Sequence, residues 1–370
     1  MLDQNVAAEV LACAVSTGGD FAEIFMEDRM DHSIMMRSRR IETVNSGRTH
    51  GAGVRVFCGT NAIYVTTNDT SREGLMACAA QAAAAVKGGA GCTIVPFRTV
   101  NAARPEEIRI LPTEVKAALK AEKVRAAEAA ARAVSPEIVQ VTAGYVDSVQ
   151  DVLICNTEGA FVTDRRVRTR LSVGAVAGNG SEMQTGFEGP GASMGFEIFD
   201  ERLDPAYYGE VAARQAHTML HAPVCPAGVM PVVIDSGFGG VIFHEACGHS
   251  LEATSVSVGV SEFAGKLGQK IASDCVTAID DGTILNAWGS IHVDDEGTPA
   301  QRTVLVENGV LTNYMIDRLG SRRMNMPITG SSRRQSYAYT PTSRMTNTYI
   351  APGQDRDEDI IASIDYGLYA

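Results

Sequence analysis

The residues best suited to chemistry lie together in one short segment, FHEACGHSLE at 243–252. His244 and His249 supply two imidazoles, and Glu245 places a carboxylate directly after the first of them. Neutral imidazole nitrogens bind zinc, and a carboxylate beside a ligand can take a proton from metal-bound water. The segment is therefore a candidate hydrolytic zinc site. The alternative is a buried helix that carries two unrelated histidines.

The spacing of the two histidines is HExxxH, one residue longer than the HExxH of many zinc peptidases. On a regular helix, side chains five residues apart point about 140° away from each other around the axis. They converge only if the helix widens to a π-like turn or ends near Gly248, which has no side chain to resist the change. We predict such a distortion at Cys247–Gly248, and a regular helix there would count against a shared metal.

Two other groups of residues are weaker candidates for a functional site. His217 and His221 lie four residues apart near the end of a predicted helix, so they could share a metal. More commonly, such histidines are exposed and complement the negative end of the helix dipole. Four arginines later in the chain form a basic cluster that is typical of solvated faces or ion pairs: Arg322, Arg323, Arg333 and Arg334.

The hydrophobic pattern of the sequence predicts the helices and strands that hold this segment in place. A short strand at 229–234 and a Gly-rich turn lead into an apolar helix at 241–252. Earlier, residues 21–67 predict consecutive strands with turns at 45–47 and 51–53. Further helices are predicted at 70–87 (with Thr70 as its cap), 113–134 and 205–221, and a meander at 137–177. Asn308-Gly309 between two apolar runs predicts a hairpin.

This order of elements predicts an α+β protein of three domains. An N-terminal antiparallel sheet with packed helices takes residues 1–100, and a linker covers 92–113. A middle helix–meander–helix domain takes 113–222, and a β-rich domain at 228–370 carries the HExxxH helix.

The composition argues against several classes of protein. The chain has 370 residues, ordinary globular composition and a net charge of −12, which argues against DNA binding as its main activity. No uncharged apolar run reaches the ~18 residues needed to cross a bilayer. Its eight cysteines form no CxxC pair, which predicts reduced, mostly buried thiols and a cytoplasmic location.

Several separated blocks resemble the TldD branch of the TldD/PmbA family. They are RSRRIETVNSGRTHGAGVRV at 37–56, HEACGHSLEA at 244–253, DDGT at 280–283, DDEGTPAQ at 294–301, VLVENGVL at 304–311 and RMTNTYIAPG at 344–353. Proteins of this branch were once called modulators of DNA gyrase and are now taken to be metallopeptidases. The paralogous PmbA (TldE) branch lacks the HExxxH residues, so their presence favours TldD.

The resemblance implies a zinc-dependent peptidase of the bacterial cytoplasm that cleaves small or unfolded peptides. It works as a homodimer, or as a heterodimer with a PmbA/TldE-like paralogue. Carried over to this chain, His244 and His249 bind Zn²⁺ and Glu245 is the general base. Arg344, Thr346 and Asn347 lie in one of the family-like blocks and are candidates for contacts with the peptide, the alternative being hydrogen bonds inside the domain.

The resemblance also implies a third zinc ligand, a cysteine in a segment that follows the block at 364–370. We expect this segment to be missing from the chain, because none of the eight cysteines lies at the matching position. Two other functions stay open at this point. One is a catalytically inert peptide-binding or partner subunit, and the other, less favoured because of the acidic charge, is interaction with DNA gyrase.

Overall fold

The computed structural model describes residues 2–86, 88–100, 108–237 and 239–370. Part of the predicted linker at 92–113 lies outside these ranges. The helices are α1 Gln4–Val15, α2 Arg72–Ala85, α3 Ala117–Ala133, α4 Ile198–Glu201, α5 Pro205–His221, α6 Gly240–Phe243, α7 Ala253–Val256, α8 Arg318–Met324 and α9 Asp357–Ala362, with a 3₁₀ turn at Pro112–Glu114.

The strands of the first two thirds are β1 Phe21–Arg37, β2 Arg40–Cys58, β3 Asn61–Thr67, β4 Arg98–Thr99, β5 Ile138–Asn156, β6 Ala160–Gly178, β7 Met183–Glu188 and β8 Gly191–Ala192. Those of the last third are β9 Val232–Val233, β10 Ala278–Asp281, β11 Arg302–Glu307, β12 Val310–Leu311, β13 Ser332–Arg333, β14 Thr342–Ser343, β15 Thr348–Ile350 and β16 Leu368–Tyr369. Helices together with mainly antiparallel sheets confirm the α+β class.

One large sheet joins the first two predicted domains. Its strands run in the order β3-β2-β1-β5-β6-β4, and β7 and β8 also pair with β6. β1 and β5 are antiparallel neighbours over almost their whole length, so residues before 100 and after 113 share this sheet. The division between these two domains stays a prediction.

The turns predicted inside β2 are wrong. The chain reverses instead at Ser38 and Arg39, whose positive φ angles of 46° and 69° suit a tight hairpin. β2 then runs through 45–47 and 51–53 because it pairs with β1 along this stretch, Asn45 opposite Ser33 and Gly53 opposite Phe25. Pairing with a long neighbouring strand overrides the local turn tendency of Asn and Gly.

Helices cover the sheet and close two apolar cores. α1 and α2 pack together over β1, β2 and β3, where Leu11, Val54 and Leu75 are fully buried. α3 and α5 pack together over β5 and β6, around Tyr145 and Leu171. The cap of α2 is Ser71 rather than the predicted Thr70, since the Ser71 hydroxyl accepts a hydrogen bond from the backbone of Gly74 at 3.1 Å.

The last third of the chain contains a smaller sheet with the order β12-β11-β10-β15. The hairpin predicted at Asn308-Gly309 is confirmed, because it joins β11 to β12 with both residues at positive φ. Behind the sheet lies an apolar cluster that includes Leu251, Met315 and Met345.

Buried ion pairs attach this last third to the large sheet. Arg55 of β2 contacts Glu23 of β1 at 2.8 Å and also Glu296, and Arg334 contacts the other carboxylate oxygen of Glu23. All four side chains are at most 2% exposed. Removing one partner of a buried pair leaves an uncompensated charge, which is strongly destabilising. This network therefore holds the last third of the chain in a fixed position against the large sheet.

The structure tests the prediction about buried cysteines and describes helices that could be compared with a membrane span. All eight cysteines are free thiols, but only Cys78 and Cys155 are buried, so the expectation that most are buried is wrong. In the described part of the chain, every helix is too short or too polar to cross a lipid bilayer.

Candidate metal centre

The helix that carries the HExxxH segment changes its winding within three turns. Regular α6 ends at Phe243, a π-helical turn spans His244–Gly248, and a 3₁₀ turn follows at His249–Leu251. The predicted distortion at Cys247–Gly248 is therefore confirmed. The extra residue in the wide turn removes much of the angle that separates positions five apart on a regular helix.

Gly248 allows this turn to pack closely on the small domain core. A Cβ atom at this position would lie 2.3 Å from Sδ of Met345, well inside van der Waals contact. Met345 is only 4% exposed, so its sulfur occupies the space that a side chain at 248 would need. Gly248 has no side chain to resist the wide turn, and it is also the point at which this turn contacts the core.

The wide turn brings the two imidazoles together. The ring centroids of His244 and His249 lie 4.8 Å apart, with planes at 88°. One donor atom from each ring and one carboxylate oxygen of Glu245 all lie within 4.8 Å of one another, and Glu245 Oε2 is 4.0 Å from His249 Nε2. Two ligands of one zinc ion, each about 2.0–2.1 Å from it, are separated by at most about 4 Å, so small side-chain rotations suffice to bind an ion.

The chemistry of this donor set fits a metal ion such as zinc. Burial lowers the pKa of His244, and the neighbouring His249 acts in the same direction, so the neutral imidazole that binds metals is favoured. The carboxylate of Glu245 is exposed and can reach solvent. Burial raises the pKa of the Cys247 thiol, which favours the protonated form and fits packing better than ligation.

Two further side chains complete the surroundings of the histidines, and the sequence analysis missed both roles. Oε1 of Glu252 lies 3.2 Å from Nδ1 of His249, and Oε2 of Glu252 lies 3.2 Å from Nη1 of Arg344. The signal available in the sequence was the i, i+3 spacing of His249 and Glu252, which places both on one side of a helical turn.

Backbone pairing fixes the segment that carries His249 and Glu252. Met315 donates its N–H to the carbonyl of Leu251 at 3.0 Å and accepts the N–H of Ala253 at 2.8 Å. Leu251 and Met315 are both fully buried. The side chains of His249 and Glu252 therefore project from a segment that is anchored in the core by backbone hydrogen bonds on either side of Glu252.

The three residues predicted to contact substrate lie in the segment just before strand β15. Thr346 donates its N–H and its hydroxyl to Asp280, at 2.7 and 2.9 Å. Asn347 bonds to the backbone of Asp281 and Gly289. The side chains of Thr346 and Asn347 are thus engaged inside the domain, while Arg344 faces Glu252 and is 41% exposed. Contact with a peptide stays a prediction for all three.

The chain matches three domain models of one family. Residues 22–86 match PmbA/TldA metallopeptidase domain 1, 110–220 match its central domain, and 227–370 match its C-terminal domain. A metalloprotease TldD homologue of Haemophilus influenzae is 35% identical over 95% of this chain and 74% of its own length. The chain belongs to the PmbA/TldD metallopeptidase family. A metalloprotease of Methanothermobacter thermautotrophicus is 36% identical over 95% of this chain and 76% of its own.

Two solved structures share the fold. A Thermotoga maritima protein described as a modulator of DNA gyrase superposes with a TM-score of 0.82 at 20% identity, covering 99% of this chain and 81% of that one. TldE from Thermococcus kodakarensis gives a TM-score of 0.77 at 18% identity, covering 97% of this chain and 80% of its own. Relatives named metalloproteases, together with the gathered His and Glu donors, make this chain a member of a metallopeptidase family with a candidate metal centre.

Proposed function

We propose that this chain is a zinc-dependent peptidase that cleaves small or unfolded peptides. The observation that carries the proposal is the π-helical turn at His244–Gly248, which brings two imidazoles five residues apart to a ring separation of 4.8 Å. A wide turn interrupts hydrogen bonding along a helix and occurs frequently at functional sites. The names of the relatives, metalloproteases, agree with it.

Each side chain has a distinct role in this proposal. His244 and His249 hold the ion, and Glu252 fixes the ring orientation of His249 through Nδ1. When bound, zinc polarises the scissile carbonyl and acidifies a water molecule. Glu245 would accept a proton from the attacking water and pass it to the leaving amine, and its exposed side chain is accessible to that water.

An edge of the small sheet offers a place for the peptide. β15 is an end strand in the described sheet and lies beside α6 and the π-helical turn. An edge strand presents N–H and C=O groups that an extended peptide can pair with. Such pairing recognises backbone rather than side chains, which suits broad specificity for unfolded peptides.

The setting of the reaction follows from the same resemblance. We place the protein in the cytoplasm, as a homodimer or as a heterodimer with a PmbA/TldE-like paralogue. A catalytic zinc ion is usually held by three protein ligands. At the HExxxH segment, two imidazoles and the carboxylate of Glu245 come together, so metal retention is the first quantity to measure.

The test combines metal content with hydrolysis of an unstructured peptide substrate such as reduced, alkylated casein. Zinc per chain is measured by mass spectrometry after dialysis, for the parent protein, Glu245→Ala and Glu262→Ala. Glu262 is an exposed carboxylate on a loop of the same domain and serves as the matched control. We expect about one zinc ion per chain at the HExxxH segment, counted as the difference between the parent and a His244→Ala, His249→Ala variant. Hydrolysis should be lost in Glu245→Ala and retained in Glu262→Ala.

Two results would overturn the proposal. Hydrolysis unchanged by Glu245→Ala would remove the general base from the mechanism. Peptide binding without zinc retention or hydrolysis would instead support the inert peptide-binding subunit. DNA gyrase interaction has less support, because the net charge of −12 opposes contact with DNA.

A further inference from the structure

We propose a second metal site, formed by Glu137, His217 and His221 on the large-sheet part of the molecule. It does not depend on the proposed peptidase activity, because none of its residues belongs to the HExxxH segment or to the domain that carries it. The ligand is a single divalent ion of the zinc, nickel or copper class, for which imidazole and carboxylate donors are suited.

The two histidines lie one turn apart on regular helix α5. Their ring centroids are 4.9 Å apart with planes at 61°, and both Nε2 atoms contact the same carboxylate oxygen. The sequence spacing alone left two interpretations open, a shared metal or exposed rings at the helix end. The structure adds the third donor that the spacing could not supply.

That donor is Glu137, which immediately precedes β5. Its Oε2 atom lies 2.7 Å from Nε2 of His221 and 3.0 Å from Nε2 of His217. One carboxylate oxygen therefore sits between two imidazole nitrogens, and one donor atom from each of the three groups lies within 4.8 Å of the others. Without metal, this oxygen is hydrogen-bonded to Nε2 of His221 and lies 3.0 Å from Nε2 of His217. An ion bound at the two Nε2 atoms would require both to be unprotonated, with each neutral ring carrying its proton on Nδ1.

The backbone holds Glu137 in place for this role. Its N–H donates to the hydroxyl of Ser135 at 3.2 Å, and its carbonyl accepts the N–H of Gly178 at 2.9 Å. A site built from a fixed strand end and one helical turn needs little ordering to bind an ion.

The three side chains are between 34% and 53% exposed, so an ion reaches them from solvent and keeps water on its open side. His221 is the last residue of α5, and the chain then leaves toward the HExxxH domain. A bound ion would clamp this final helical turn to the start of β5. The expected role of the ion is therefore structural.

The experiment removes the first site and measures binding at the second. The full chain with His244→Ala and His249→Ala is titrated with Zn²⁺, and binding is followed by calorimetry and by the rise of the melting temperature. Glu137→Gln and His217→Ala are then added singly to this background. Glu210→Gln is the matched control, because Glu210 is an exposed carboxylate on the same helix whose ion pair is with Arg214.

We expect about one Zn²⁺ per chain in the background variant, and an affinity at least about tenfold weaker after Glu137→Gln or His217→Ala, since loss of even an outer-shell partner costs 10–100-fold. Glu210→Gln should bind like the background. All these side chains are at the surface, so equal melting temperatures without metal will show that the variants fold. Absence of binding in the background, or equal binding in all variants, would overturn the proposal and leave a shared hydrogen bond between one carboxylate and two rings.

Discussion

Nδ1 of His249 lies 3.2 Å from Oε1 of Glu252, and this contact leaves the opposite ring nitrogen facing Glu245. The second oxygen of Glu252 is engaged by Arg344, so the carboxylate is held from both sides. Imidazoles that bind metals usually donate their other N–H to such a partner, which fixes the tautomer and the ring orientation. Glu252 is therefore a positioning residue that acts through His249.

The first prediction concerns Glu252. Glu252→Ala should weaken zinc binding about 10–100-fold, because His249 loses the partner that orients it. Glu252→Gln keeps an oxygen acceptor and should lose less. Affinity is measured by competition with a chelator, with Glu262→Ala as the control. Unchanged affinity in Glu252→Ala would show that the carboxylate only pairs with Arg344.

The second prediction concerns the contact between Gly248 and Met345. Gly248→Ala forces the Met345 sulfur out of its place and should lower the free energy of unfolding by about 1–3 kcal/mol. Gly240→Ala is the control, because a Cβ at that position meets no atom within 4 Å. Both are measured by denaturant unfolding.

A double-mutant cycle makes this prediction specific. Met345→Ala removes the atom that a Cβ at 248 would meet, so the combined variant should be more stable than the sum of the two single effects allows. Additive effects would show that the cost of Gly248→Ala comes from the π-helical turn itself rather than from Met345.

The third prediction concerns Asn347. Its amide accepts the N–H of Gly289 at 2.8 Å and donates to the carbonyl of Asp281 at 2.6 Å and to the hydroxyl of Ser290 at 2.9 Å. Asn347→Ala removes these three hydrogen bonds and should lower the free energy of unfolding by about 2–4 kcal/mol. A variant of normal stability with a raised KM for peptide would instead assign Asn347 to substrate binding.

Local signals in the sequence predicted much of the site. Side chains five residues apart, such as His244 and His249, cannot converge on a regular helix. A shared metal therefore required either a wide turn or a helix end near Gly248. Asn308-Gly309 defined a hairpin because its two residues accept the positive φ that the turn requires. In both cases the deciding interactions lie within a few residues of each other.

Features that depend on distant residues could not be predicted in this way. Asn45 and Gly53 carry turn tendencies, yet β2 continues through them because β1 pairs alongside. Arg334 belongs to a basic cluster that suggested an ion pair or a solvated face, but nothing nearby in the sequence indicated a fully buried pair with Glu23. Glu137 and His221 are likewise 84 residues apart and meet only in the folded chain.

The fourth prediction concerns pH and Asp280, a buried residue of β10 that accepts two hydrogen bonds from Thr346. Burial raises the pKa of Asp280 to about 6, from an ordinary value of 3.8. The folded state therefore binds a proton more tightly than the unfolded state. The contribution of Asp280 to stability is greatest below pH 4, falls as the pH rises to about 6, and is level above that.

Asp280→Asn should remove this dependence. The amide oxygen still accepts the N–H of Thr346, and the amide nitrogen can donate to the Thr346 hydroxyl, so the contacts survive without the charge. The free energy of unfolding of the parent, relative to that of Asp280→Asn, should fall by up to about 3 kcal/mol between pH 4 and pH 7. Urea unfolding at a series of pH values measures it, with the exposed Asp355→Asn as control. A difference between parent and Asp280→Asn that stays constant with pH would mean that Asp280 is ionised throughout, with its charge stabilised by the hydrogen bonds from Thr346.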